Sequence, residues 1–130
     1  MPKQLLARGM GASPGAATGA IVFRSEDAVA LAAKGTPVIL VRIETTPEDV
    51  PGMKAAAGII TTRGGITGDA AIVARTLAKP CIASCAALRV DYEAGALTVW
   101  RDESSGDDDV VLEEGAIVTI DGASGEVWTE

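Results

Sequence analysis

Thr61-Thr62-Arg63-Gly64-Gly65-Ile66-Thr67-Gly68-Asp69-Ala70-Ala71-Ile72-Val73-Ala74-Arg75 runs from strand through glycine loop to helix. Gly58 to Thr62 (GIITT) is apolar and β-branched, which predicts a strand. The helix is expected from about Thr67 to Leu77, with Pro80 ending it. A strand–loop–helix junction leaves backbone N–H groups unpaired at the positive end of a helix dipole. That makes it a physical site for an anion, above all a phosphoryl group. Gly64, Gly65 and Gly68 let the backbone approach such a group, and Arg63 and Arg75 can supply positive charge. Thr67 can cap the helix or donate its hydroxyl. Strand–Gly–Gly–helix turns are common and usually only structural, so the junction does not decide a function by itself.

Strands and helices alternate before it. Thr18 to Phe23 (TGAIVF) reads as a strand, and Ser25 as the N-cap of a helix through Lys34 that Gly35 closes. Pro37 to Ile43 (PVILVRI) is a buried strand. Thr46-Pro47-Glu48-Asp49 is a helix start, with Thr as cap, Pro at the first helical position and acids in the first turn. Pro51 and Gly52 keep that helix short. After the junction, Cys81 to Ala83 forms another short strand. Leu97 to Trp100 and Val110 to Leu112 flank the polar run Arg101 to Asp109. Ala116 to Ile120 and Glu126 to Thr129 flank a hairpin-like turn at Asp121–Gly125. The expectation is an α/β fold with a mixed sheet and covering helices. Residues 1–10 have no clear period and read as a lead-in, and residues 11–130 as one domain.

Composition narrows the chemistry. The chain has 130 residues, 48% of them apolar and only 3% aromatic, so the core is built from Val, Ile, Leu and Ala. Its formal net charge of −7 argues against a nucleic-acid or membrane-surface partner. There is no histidine, which removes Ser–His and Cys–His nucleophile pairs, a His general base and His metal ligands. Cys81 and Cys85 cannot build a Cys₄ zinc site and lack C-x-x-C spacing, so they read as small core thiols. The run Asp102-Glu103-Ser104-Ser105-Gly106-Asp107-Asp108-Asp109 lacks the ligand order of an EF-hand and reads as a solvated acidic loop. No metal or cofactor is expected. The N-terminal stretch lacks the apolar run of a signal peptide, and a cytoplasmic protein is the default expectation.

The order of residues adds a resemblance. GGITGDAAIVAR, followed by Lys79-Pro80-Cys81, closely resembles the signature of the phosphohistidine, or swivelling, domain of phosphoenolpyruvate-utilising enzymes, approximately GG-(apolar)-TSHAAIVAR and a KPC-type segment. Gly11-Ala12-Ser13-Pro14-Gly15-Ala16-Ala17-Thr18-Gly19 is similar to that family's opening. Val41-Arg42-Ile43-Glu44-Thr45-Thr46-Pro47-Glu48-Asp49-Val50, with Gly52-Met53, resembles its pyruvate phosphate dikinase branch. Asp121-Gly122-Ala123-Ser124-Gly125-Glu126-Val127 resembles the domain's close. The resemblance implies a swivelling β/β/α domain. In such enzymes it carries a phosphoryl group on histidine between a nucleotide-binding domain and a phosphoenolpyruvate/pyruvate barrel. Those two domains, in cis or in trans, are the partners it implies.

One departure stands at the centre of the motif. Asp69 occupies the position of the family's carrier histidine, and Gly68 replaces the preceding serine. Thr67 matches a threonine that is a regulatory phosphorylation site in dikinases. Three readings follow: a carrier domain that is silent alone, an aspartate-based carrier forming an acyl phosphate, or an anion- or partner-binding regulatory module. The first is preferred, because an acid in the first turn of a helix needs no catalytic role to be favourable.

Overall fold

The computed structural model describes residues 5–63, 69–85, 87–99 and 110–129. In chain order the strands are β1 (Leu5–Arg8), β2 (Met10–Ser13), β3 (Ala16–Val22), β4 (Val38–Arg42), β5 (Gly58–Thr61), β6 (Cys81–Ala83), β7 (Leu88–Asp91), β8 (Ala96–Val99), β9 (Val110–Glu113), β10 (Ile117–Asp121) and β11 (Glu126–Thr129). The helices are α1 (Ser25–Ala33), α2 (Val50–Ala55), which a 3₁₀ turn at Pro47–Asp49 leads into, and α3 (Asp69–Thr76).

Val38-Ile39-Leu40-Val41 explains the layering. All four side chains are fully buried. In a strand, neighbours point to opposite faces, so both faces of β4 must be covered. Ile39 and Val41, with Ile21, Ile60 and Ile82, pack against Leu88, Leu97 and Val99 of the antiparallel sheet β7-β8-β9. Val38 and Leu40, with Val22 and Ile59, pack against Ala28, Met53, Ala71 and Ala74 of the helices. The result is three layers, sheet on sheet on helices. Each such aliphatic side chain contributes about 1.5–3 kcal/mol by leaving water.

The larger sheet is mixed, in the order β1-β11-β10-β3-β4-β5-β6-β2. β3, β4, β5 and β6 run parallel, each joined to the next by a helix, and the remaining pairs are antiparallel. β1 and β2 sit at opposite ends of this order, yet only Gly9 separates them in the chain. The sheet must therefore wrap until its two edges nearly meet. Gly9 is what permits the bend: a Cβ there would meet Ile82 Cγ2 at 2.7 Å and the Ala83 carbonyl oxygen at 2.9 Å. Its N–H donates to the Gly125 carbonyl at 2.8 Å.

The stretch read as a lead-in thus contains one strand of the sheet and the start of another. They are four residues each and both pairings are bulged, which leaves no period to read. Ser25 is not the cap of α1. Arg24 holds that place without a side-chain hydrogen bond, and the Ser25 hydroxyl instead accepts from the Gly52 N–H at 2.8 Å, joining α1 to α2. The start at Thr46 is as expected: the Thr46 N–H donates to Asp49 Oδ2 at 2.9 Å, and α2 is only six residues long. The Asp121–Gly125 turn joins an antiparallel pair, with Asp121 Oδ1 accepting from the Ala123 and Ser124 N–H groups. Cys81 and Cys85 are buried free thiols. Residues 101–109, read as an acidic loop, lie outside the described residues. Among the described residues no helix is long and apolar enough to cross a membrane.

Candidate functional site

The parallel strands β3, β4, β5 and β6 end on one edge, at Val22, Arg42, Thr61 and Ala83. In α/β sheets ligands bind outside the carboxyl ends of such strands. The strand–loop–helix junction read from the sequence leaves from this edge.

Its entry is held in place by hydrogen bonds. The buried Thr61 hydroxyl donates to the Arg63 carbonyl at 2.9 Å. The Thr62 N–H donates to the Arg42 carbonyl at 3.2 Å, and the Arg63 N–H to the Ile43 carbonyl at 3.1 Å. The Cys85 N–H reaches the Thr61 carbonyl at 3.0 Å. Arg63 therefore leaves the sheet from an immobilised backbone, with its side chain exposed. Gly64, Gly65, Thr67 and Gly68 lie outside the described residues. Asp69 is the first residue of α3.

Arg75 sits in the last turn of α3. It is about 9 Å along the helix axis from Asp69 at 1.5 Å per residue. Its Nη1 donates to the Ala12 carbonyl of β2 at 2.9 Å. The structure thus leaves Arg63 at the entry to the glycine loop and Arg75 at the far end of the helix. Arg75 also lies near Cys81, where its charge opposes the desolvation that pushes that thiol up to about 12. Burial alone pushes Cys85 up to about 12. Both sulfurs are thus neutral at physiological pH and suited to packing rather than to nucleophilic attack.

Sequence reasoning missed Arg42 and Tyr92. Arg42 Nη1 donates to the Phe23 carbonyl at 2.8 Å, and Nε lies 3.5 Å from Asp49 Oδ2. Nε has no partner of hydrogen-bond geometry, so that contact is an ion pair only. The guanidinium lies 4.7 Å from the centroid of the Tyr92 ring, a cation–π contact. The Tyr92 hydroxyl accepts the Ile43 N–H at 2.8 Å. Together they tie the ends of β3 and β4 to the turn after β7. The signal available was an arginine closing a buried strand seven residues before an aspartate. Among the described residues no group of three or more His, Cys, Asp or Glu side chains could hold a metal.

A family model described as PEP-utilising enzyme, mobile domain, matches residues 34–125. The pyruvate, phosphate dikinase of Rhizobium meliloti (strain 1021) is 48% identical over 125 residues, which is 96% of this chain and 13% of that protein. Pyruvate, phosphate dikinase 2 of Oryza sativa subsp. japonica is 50% identical over 124 residues, 95% of this chain and 13% of its own. A solution structure of Enzyme I (nEIt) overlaps 70% of this chain and 29% of its own, with a TM-score of 0.44 at 24% identity. The chain belongs to the mobile-domain family of phosphoenolpyruvate-utilising enzymes. Its relatives include pyruvate, phosphate dikinases, of whose length it spans about an eighth.

Proposed function

We propose that the chain is a swivelling domain of the pyruvate phosphate dikinase type that does not itself carry the phosphoryl group. One observation supports this above all: a chain 48% identical to a dikinase contains no histidine, and the motif resemblance puts Asp69 where the family has its carrier. An imidazole nitrogen is a neutral nucleophile near pH 7, and its phosphoramidate transfers readily in both directions. Carboxylic side chains titrate at about pH 4, so an aspartate acceptor is anionic before attack and repels the donor. It is also shorter. At the start of a helix a carboxylate gains about 0.3–1 kcal/mol from the dipole, in the place where a phosphoryl charge would otherwise sit.

The partners in this reading are a nucleotide-binding domain and a phosphoenolpyruvate/pyruvate barrel, in cis or in trans, and the transfer chemistry resides in them. Arg63, Gly64, Gly65, Thr67 and Gly68 keep the loop that would face those domains. Incubation with labelled phosphoenolpyruvate, or with labelled ATP and a matching nucleotide-binding domain, is expected to leave the chain unlabelled. Stoichiometric label that hydroxylamine releases, and that vanishes in Asp69→Asn, would overturn the reading in favour of an aspartyl carrier.

A further inference from the structure

The larger sheet turns one face to the helices where it carries Val22, Val38, Leu40 and Ile59. Ala16 and Thr18 lie on the same side of β3 as Val22 but are exposed. There, over the start of β3, β10 and β11, a cleft of about 290 Å³ is lined by Ala16, Thr119, Ile120, Asp121 and Trp128. Register fixes which side chains share it. Val118 and Ile120 belong to the core, so Thr119 and Asp121 point the other way. Residues opposite each other in a ladder share a face. Thr119 lies opposite Thr18 and Trp128, and Asp121 opposite Ala16 and Glu126. Asp121 and Trp128 are therefore diagonal neighbours on one face, at a spacing of about 7–8 Å. Arg8, on the same face beyond Glu126, is held by the Glu126 carboxylate at 3.0 Å. Asp121 Oδ1 accepts from the Ala123 and Ser124 N–H groups, and Oδ2 has no partner among the described residues.

We infer that this cleft binds a small organic cation, its charge held over the Trp128 ring and against the Asp121 carboxylate. Indole is the aromatic face that attracts a cation most strongly, and Asp121 Oδ2 keeps its lone pairs for the charge. Ala16 and Ile120 give the remainder of the cleft an apolar lining, which favours a cation with a carbon body over a bare metal ion. A chain of net charge −7 also draws cations toward its surface. The cleft lies on the β10–β11 part of the sheet, apart from the glycine junction, and does not depend on whether residue 69 accepts a phosphoryl group.

The test is a titration of the full chain with choline chloride, with sodium chloride at matched ionic strength, and with the uncharged isostere of choline in which carbon replaces nitrogen. Amide and indole N–H chemical shifts are followed. Saturable shifts at Thr119, Asp121 and Trp128 are expected with choline and not with the other two. Asp121→Asn keeps the acceptor of the turn and loses the charge, whereas Trp128→Leu keeps an apolar side chain and loses the π face. Each is expected to weaken binding about threefold, with Trp128→Phe between Trp128→Leu and the native chain. Asp69→Asn is expected to leave affinity unchanged. Absence of saturable shifts, shifts that sodium chloride reproduces, or native affinity in both Asp121→Asn and Trp128→Leu overturns the inference. Equal affinity for the uncharged isostere overturns the assignment to a cation. Labelling of residue 69 would defeat the proposed function and leave this result untouched.

Discussion

Tyr92 does two things with one side chain: its ring lies against Arg42 and its hydroxyl takes the Ile43 N–H. Tyr92→Phe separates them, because the ring stays while a part-buried N–H loses its acceptor. A loss of about 1–3 kcal/mol is expected in urea unfolding, and amide exchange should quicken at Ile43 and at Arg63, which hangs from the Ile43 carbonyl. The two thiols give a pH prediction whose sign is fixed. Burial raises Cys81 and Cys85 from 9.0 to about 12 in the folded chain. The unfolded chain therefore releases these protons first as pH rises. Their contribution to stability is whole below pH 9 and falls between about 9 and 12, by at most ~1.4 kcal/mol per pH unit for each thiol. Denaturant midpoints measured across that range should drop less steeply in a Cys81→Ala/Cys85→Ala variant.

Between elements, the contact of α1 with α2 rests on Gly52. A Cβ there would meet the Ser25 hydroxyl oxygen at 2.5 Å and its Cα at 2.6 Å. Gly52→Ala is expected to cost about 1–3 kcal/mol by pushing the helices apart. Ser25→Ala, which removes the acceptor of the Gly52 N–H and the hydroxyl that donates to the Asp49 carbonyl at 3.5 Å, is expected to cost about 1 kcal/mol. Thermal unfolding of both variants checks the order. This pairing also shows what could be read from the residues. Pro37–Ile43 announced its strand because four consecutive aliphatic residues suit a sheet covered on both faces. The glycine junction announced its strand and its helix through local chemistry. Ser25 misled, because a serine before Glu26 and Asp27 looks like a cap whichever partner its hydroxyl finds. Arg42 and Tyr92 lie far apart in sequence, and no periodicity carries such a pairing.

Across the whole molecule, the missing histidine has a physical signature. No imidazole changes charge between pH 6 and 8, so the free energy of unfolding is expected to be nearly flat there. On the acid side of that window Glu114 adds a slope. Desolvation first, then the charge of Asp27 and a hydrogen bond to it, raise its carboxyl above the ordinary range, against the opposing charge of Arg24. A raised acid stabilises the fold while protonated, and that stability is lost as pH climbs through its folded value. Glu114 is exposed, so the slope is small, and Glu114→Gln should remove it, measurable as a levelling of midpoints from acid to neutral pH. The strand register carries one more consequence. β1 and β11 are antiparallel neighbours, with Leu5 opposite Trp128. Tension applied through Leu5 and Thr129 would load their ladder at one end and open it like a zipper, one bond after another, instead of shearing all its bonds at once.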